Sequence, residues 1–220
     1  MKFFFLLYYN FVEDFFHLIR IKIFLNSIKL NKPVIFDVGS HKGKLTKFFL
    51  NIYKDARVYC FEPNKKALDI LKSIKNKKII PYNFAVGKKN EEKFINFTDL
   101  DLTSSMIKLN EQSYYLKIKK FILKKNKMKK LKVKVISIDN FCKNKKIKKI
   151  DLLKIDTEGS EYEVLLGSKR IIQNVSYIMI EIQKNDMYQN YSIKKIEDFL
   201  KNNNFILIKK FNFPFMFFED

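Results

Sequence analysis

From residue 33 onward the chain alternates short β-branched apolar runs with stretches whose apolar residues keep a helical period, and nothing else in it limits the fold as strongly. Val34–Val38 is a compact run closed by Gly39, and Lys44–Tyr53 is helical in pattern. Arg57–Phe61 is a second run, stopped at Pro63, after which Asn64 can cap a helix reaching about Ile74. Ile79–Val86 is a third, ended by Gly87. Parallel strands cannot be joined by hairpins and need crossovers, so this rhythm predicts an α/β fold: a mostly parallel sheet with helices on both faces.

Further strands are expected at Phe94–Phe97, Val133–Ile138, Ile150–Ile155 and Tyr177–Ile182. Residues 98–130 read as irregular or partly helical. Ser160 with Glu163 has the spacing of a capping box. Ile193–Leu200 reads as a helix, with Phe205–Ile208 and Phe215–Phe218 as a terminal hairpin. Residues 1–32 are apolar and aromatic, with Phe11, Phe15, Leu18 and Ile19 in helical register, and are expected to form a cap of one or two helices over the sheet. A weak contact of this cap with a membrane surface is an alternative use for it. The opening apolar run, Phe3 to Tyr9, is too short to span a bilayer, which takes about 20 residues. No small-residue cleavage site follows it, the first alanine being Ala56, so the chain reads as cytoplasmic. Cys60 and Cys142 have neither metal-ligand spacing nor the makings of a disulfide framework.

The formal charge of +21 comes from 44 basic and 23 acidic residues, and only Arg20, Arg57 and Arg170 are arginine. A surface shaped to grip phosphate would use more arginine, whose planar fork pairs phosphate bidentately. Scarce alanine and abundant lysine, asparagine, isoleucine and phenylalanine point instead to codon bias. One window stands out: Lys117 to Lys149 holds fifteen lysines and one acid, Asp139. It reads as a solvated loop, with an RNA, lipid-headgroup or other anionic partner as the alternative.

Three clusters carry chemistry. In Phe36-Asp37-Val38-Gly39-Ser40-His41-Lys42-Gly43 a strand ends in an acid and a glycine loop leads into a helix, the layout of the nucleotide crevice in a doubly wound sheet. The dinucleotide fingerprint G-x-G-x-x-G is not met, and Asp37 pointing into the loop would repel a pyrophosphate. It would suit the amino group and sulfonium of S-adenosylmethionine, which argues against an NAD-type protein. The second cluster is Tyr59-Cys60-Phe61-Glu62-Pro63-Asn64, where Glu62 stands at the next strand end, placed to accept ribose hydroxyls. Asn83-Phe84-Ala85 follows at the third strand end, where an adenine would lie. The third cluster, Leu153-Lys154-Ile155-Asp156-Thr157-Glu158-Gly159-Ser160-Glu161, puts three carboxylates around one glycine. Asp156 and Glu158 are expected to face the reacting group, with Glu181 entering the same crevice. A metal held by Asp156, Glu158 and Glu181 is not favoured, because no histidine accompanies them.

The stretch from Val34 to Gln183 resembles the FkbM-family methyltransferases. The resemblance rests on Phe36-Asp37-Val38-Gly39 with Gly43, Phe61-Glu62-Pro63, Asn83 with Ala85-Val86-Gly87, Ser104-Ser105, Ser137-Ile138-Asp139, and Lys154-Ile155-Asp156-Thr157-Glu158-Gly159-Ser160-Glu161 running on to Gly167. It implies a Rossmann-like class I methyltransferase with a seven-stranded sheet over 33–220, S-adenosylmethionine as cofactor, and O-methylation of a hydroxyl on a sugar, glycan or natural-product scaffold. Asp37, Gly39, Ser40, Gly43, Glu62, Asn83 and Ala85 would bind the cofactor. Asp156 is the leading candidate for general base, with Glu158, His41 and Glu181 behind it. An RNA acceptor reached through the Lys117–Lys149 window, or a non-enzymatic basic binding module, are the competing readings.

Overall fold

The computed structural model describes residues 18–98, 104–105, 110, 112–113, 128–183, 188–211 and 218–219. In chain order its elements are α1 (18–27), β1 (Val34–Val38), α2 (Lys44–Ile52), β2 (Arg57–Phe61), α3 (Lys65–Lys72), β3 (Ile79–Tyr82), β4 (Ala85–Val86), β5 (Glu91–Thr98) and β6 (Ser104–Ser105). There follow β7 (Met128–Ile136), α4 (Ile138–Lys145), β8 (Ile150–Ile155), α5 (Glu161–Leu166), a 3-10 turn (Ile171–Asn174), β9 (Val175–Ile180), β10 (Ile182–Gln183), α6 (Ile193–Asn202) and β11 (Phe218–Glu219).

Five strands form one wholly parallel sheet in the order β3-β2-β1-β8-β9. The chain winds outward from β1 through β2 to β3, then returns to build β8 and β9 on the other flank. The crevice beyond the carboxyl ends of β1 and β8 is therefore the topological switch point, where open α/β sheets bind ligands.

The two faces of this sheet are covered for a reason legible in strand parity. Ile35, Val58, Cys60 and Leu152 point to one side and pack with Ile21 and Leu25 of α1, Phe49 and Leu50 of α2, and Leu68 and Leu71 of α3. Phe36, Val38, Phe61, Leu153 and Ile155 point to the other and pack with Phe141 of α4, Val164 and Leu165 of α5 and Ile196 of α6. Each such side chain, removed from water, contributes about 1.5–3 kcal/mol. Helix α1 is pinned further by Tyr53, whose hydroxyl donates to the Leu25 carbonyl at 2.6 Å.

The expected α/β class with a mostly parallel sheet is what the chain forms, though its strands divide into separate ladders. Beside the five-stranded sheet lie a four-stranded one, β4-β7-β5-β6, and the antiparallel pair β10-β11. The region expected as one strand, Ile79–Val86, breaks at Asn83-Phe84. Its first half pairs with β2, and its second half leaves to pair with Val135 and Ile136 of β7. Strands β5 and β7 run well beyond their predicted ends, because each supplies the other's ladder from Glu91↔Val135 to Thr98↔Met128.

Ser137-Ile138-Asp139 is not a strand end. The Ser137 hydroxyl caps α4 by accepting from Asn140 N at 3.3 Å, a helix the alternating pattern concealed. Ser160 makes no capping bond. The Glu161 carboxylate folds back instead and takes Thr157 N and Gly159 N, both at 3.0 Å. Among the described residues 205–210 join no ladder, so the expected hairpin is replaced by the pairing of Phe218–Glu219 with Ile182–Gln183. Phe215 to Phe217 lie outside the described residues, as do Phe11, Phe15 and residues 114–127, which include the first part of the lysine-rich window. No described helix is long and apolar enough to cross a membrane.

Candidate active site

The loop after β1 is built by backbone bonds to the neighbouring strand. Gly39 N and Ser40 N both donate to the Phe61 carbonyl, at 3.0 and 3.2 Å. Gly39 has φ +77°, and a Cβ there would lie 1.7 Å from the Asp156 carbonyl oxygen, so only glycine lets the ends of β1 and β8 come this close. The hydroxyl of Ser40 is buried and has no hydrogen-bond partner among the described residues. An orphaned buried hydroxyl in a loop at the switch point is a ready contact for a bound molecule.

Glu62 fastens this loop to the end of β2. Its Oε2 accepts from His41 N at 2.8 Å and its Oε1 from Asn64 N at 2.7 Å. The residue is 4% exposed, and burial raises its carboxyl to about 7 against the opposing pull of the Asn64 and His41 N–H groups and Lys154. Each oxygen keeps a further lone pair for a ligand hydroxyl. Asn83 Nδ2 donates to the carbonyls of Glu62 and Pro63, both at 3.0 Å, so the amide braces the same corner and leaves its oxygen for a ligand.

Between the two halves of the crevice stands Lys154. It is 3% exposed, and its Nζ lies 3.1 Å from Asp37 Oδ1 and 3.2 Å from Asp156 Oδ2 while donating to the Gly39 carbonyl at 2.9 Å. Burial disfavours its charged form, but Asp156 and Asp37 outweigh that and push the ammonium above the usual lysine range. Asp37 is 0% exposed, and its Oδ2 accepts from Thr46 Oγ1 at 2.5 Å.

The β8–α5 turn carries the acids of the third cluster. Glu158 has a left-handed φ of 53° and accepts a hydrogen bond from the Tyr188 hydroxyl at Oε2. Burial, with Glu158 next, pushes that phenol far up, so it stays a donor. The Tyr188 ring lies over Gly159, where a Cβ would come within 2.7 Å of it. Glu161 is buried, and burial raises it to about 7. Glu181 N donates to Ile155 O at 3.0 Å, and its Oε1 accepts from Gln183 Nε2 at 2.9 Å. No group of three potential metal ligands is gathered closely enough among the described residues to hold an ion.

Of the residues singled out in the sequence, the fold brings Gly39, Ser40, Glu62, Asn83, Asp156, Glu158 and Glu181 to the carboxyl ends of the strands. Three others are placed differently. Asp37 does not point into the loop: a strand residue facing α2 must bury its carboxylate, and it meets Lys154 and Thr46 there. Gly43 caps α2, where a Cβ would meet Leu71 of α3 at 2.4 Å. Ala85 is buried in the second sheet against Ile95 and Val135. His41 contributes its backbone N–H to Glu62 from a left-handed conformation.

For Lys154, Thr46 and Tyr188 the sequence analysis assigns no role, and for Glu161 it offers only an acid near a helix N-terminus. For Lys154 a signal existed. A lysine inside a strand buried on both faces must find counter-charges, and its direct register partner is Asp37.

The family model described as the methyltransferase FkbM domain matches residues 37–207. Among curated proteins, the 2-O-methyltransferase NoeI of Sinorhizobium fredii is 23% identical over 166 residues, 71% of this chain and 66% of that protein. The hexuronic acid methyltransferase AglP of Haloferax volcanii is 27% identical over 152 residues, 68% of this chain and 55% of that protein. The chain thus spans somewhat under two thirds of these relatives. The crystal structure of methyltransferase FkbM from Methylobacillus flagellatus superposes with a TM-score of 0.51 and 16% identity, over 79% of this chain and 38% of that one, a likeness of fold. A Rossmann-like sheet whose switch-point loops carry the Asp37-to-Gly43 and Lys154-to-Glu161 motifs, matched by a family model over most of its length, makes this chain a member of the FkbM methyltransferase-domain family.

Proposed function

We propose that the chain binds S-adenosylmethionine in the crevice between β1, β2 and β8 and moves its methyl group to a hydroxyl of a sugar or glycan. The observation that carries this reading is the junction of Glu62 with the Gly39–Ser40 loop: a buried carboxylate with spare lone pairs beside an unpartnered buried hydroxyl. That pair suits a nucleoside, which presents ribose hydroxyls as donors and acceptors. When bound, S-adenosylmethionine supplies an electrophilic methyl group on a sulfonium.

Glu62 would accept the ribose hydroxyls, Ser40 Oγ would complete its hydrogen bonding on the same molecule, and the Asn83 amide oxygen would face the base. A direct contact of Asp37 with the amino group does not fit a carboxylate without exposed surface, so its part is to hold Lys154. On the acceptor side, Asp156 is partly exposed with one oxygen on Lys154. It would orient the acceptor hydroxyl and take its proton as the oxygen attacks. Positioning supplies most of the rate in such a site. The printed names of the two curated relatives, one acting on a 2-O position and one on hexuronic acid, support a sugar hydroxyl as acceptor.

Calorimetry with S-adenosylhomocysteine tests the cofactor assignment, with NAD as the control that should give no heat. Replacing Glu62 by Ala should weaken binding by at least about tenfold, the loss expected when hydrogen bonds to a charged group are removed. Unchanged affinity refutes the ribose assignment. Asp156→Asn should bind S-adenosylhomocysteine but lose roughly 10²–10⁴-fold in methyl transfer to a glycan panel, the usual share of a general base. A variant with full turnover would make Asp156 structural.

A further inference from the structure

Lys154 is the most deeply buried cation in the described structure, and the chemistry above does not use it. Its ammonium touches four oxygens that belong to different parts of the crevice: Asp37 and, at 3.5 Å, the Val38 carbonyl inside β1, the Gly39 carbonyl at the start of the proposed cofactor loop, and Asp156 at the end of β8. Asp37 and Lys154 are register partners on adjacent parallel strands, so the contact is set by the ladder and not by a flexible reach. Gly39 and Asp156 are also in backbone contact, the Gly39 position leaving no room for a Cβ against the Asp156 carbonyl. Two strands approach this closely at the switch point with two carboxylates between them, an arrangement that needs a positive charge in the gap.

Resting on the proposed methyl-transfer site, we propose that Lys154 is a positioning residue: one buried ammonium that locks the Gly39 carbonyl on the cofactor side to Asp156 on the acceptor side. It does not touch the reacting atoms. It acts by holding the Gly39–Ser40 loop in the conformation that presents the Ser40 hydroxyl, and by fixing one oxygen of Asp156 so that the other faces the crevice. A buried ion triad of this kind contributes little net stability, because desolvating three charges offsets their attraction. Its position between the two strand ends fits a role in geometry.

The test separates this role from general stabilisation and from the cofactor reading itself. The variants are K154M, K154M/D37N and K149M. The last removes an exposed lysine paired with Asp151 and controls for net charge. In K154M the groups left against the Asp37 carboxylate are Thr46 on α2 and Cys60 on β2, and neither is cationic. The folded state then buries the Asp37 carboxylate with no cation against it, and removing one partner of a buried ion pair is strongly destabilising.

The expected results are a K154M melting point several degrees below that of wild type, restored by adding D37N. S-adenosylhomocysteine affinity in K154M/D37N should stay at least about tenfold weaker than wild type, since the Gly39 carbonyl has lost its charged donor. K149M should match wild type in both measurements. A K154M melting point equal to that of wild type overturns the proposal. So does a double variant that fails to regain stability, one that regains wild-type affinity, or a K149M that weakens binding equally. Failure of the wild-type chain to bind S-adenosylhomocysteine would sink the cofactor reading and leave the melting experiment as the test of the ammonium.

Discussion

Glu161 shows how a single buried side chain sets both local structure and pH response. Its Oε1 gathers Thr157 N, Thr157 Oγ1 and Gly159 N, each at 3.0 Å, and so shapes the turn that carries Glu158. Burial raises its carboxyl from the ordinary 4.5 to about 7. The folded chain therefore holds this proton more tightly than the unfolded one. The stability linked to it is complete below about 4.5 and is lost as pH rises toward about 7. Glu161→Gln keeps an accepting oxygen for the three donors and removes the ionisation. Its melting temperature should depend less on pH between about 5 and 8 than that of wild type, as read by scanning calorimetry at several pH values. Equal slopes would show that the carboxyl is not the titrating group. Glu62, raised to about 7 by the same cause, accounts for slope that remains.

At the scale of elements, the helices that frame the crevice are held at their ends by side chains. Asn64 Oδ1 accepts from Lys66 N at 3.0 Å and Ala67 N at 3.5 Å, starting α3 directly after Glu62. Asn64→Ala should cost about 1 kcal/mol of stability, measured as a shift of the urea midpoint. It should leave S-adenosylhomocysteine binding within a few-fold of wild type, because Glu62 takes the Asn64 backbone N–H, which alanine retains. Asp139 does comparable work on the far side: its carboxylate accepts from Arg170 N and Ile171 N and joins the start of α4 to the 3-10 turn before β9.

Across the whole molecule, the described part of the lysine-rich window is not one loop. It divides between β7 in the second sheet, α4 on the main sheet and the turn into β8. Lys132 pairs with Glu92, and Lys149 pairs with Asp151 at 2.7 Å. Charge spread over separate elements attracts polyanions by counterion release without reading sequence. Filter binding of mixed RNA should therefore collapse by about 0.2 M salt and be indifferent to S-adenosylhomocysteine. Retention at higher salt, or competition between the two, would instead support an RNA acceptor.

The amino-acid sequence alone determined the parallel α/β frame, since β-branched runs buried on both faces and spaced by helical periods have no other stable arrangement. It also determined which strand ends would carry acids and glycines, because Gly39, Glu62 and Asp156 stand where those runs stop. Only the tertiary structure decided what the acids do. Asp37 faces α2 because of strand parity, and it meets Lys154 because of register, a pairing of two residues 117 positions apart that no local pattern shows. The break of Ile79–Val86 into two sheets was decided the same way. Both halves have strand-forming side chains, and only the partner that each meets, β2 or β7, tells them apart.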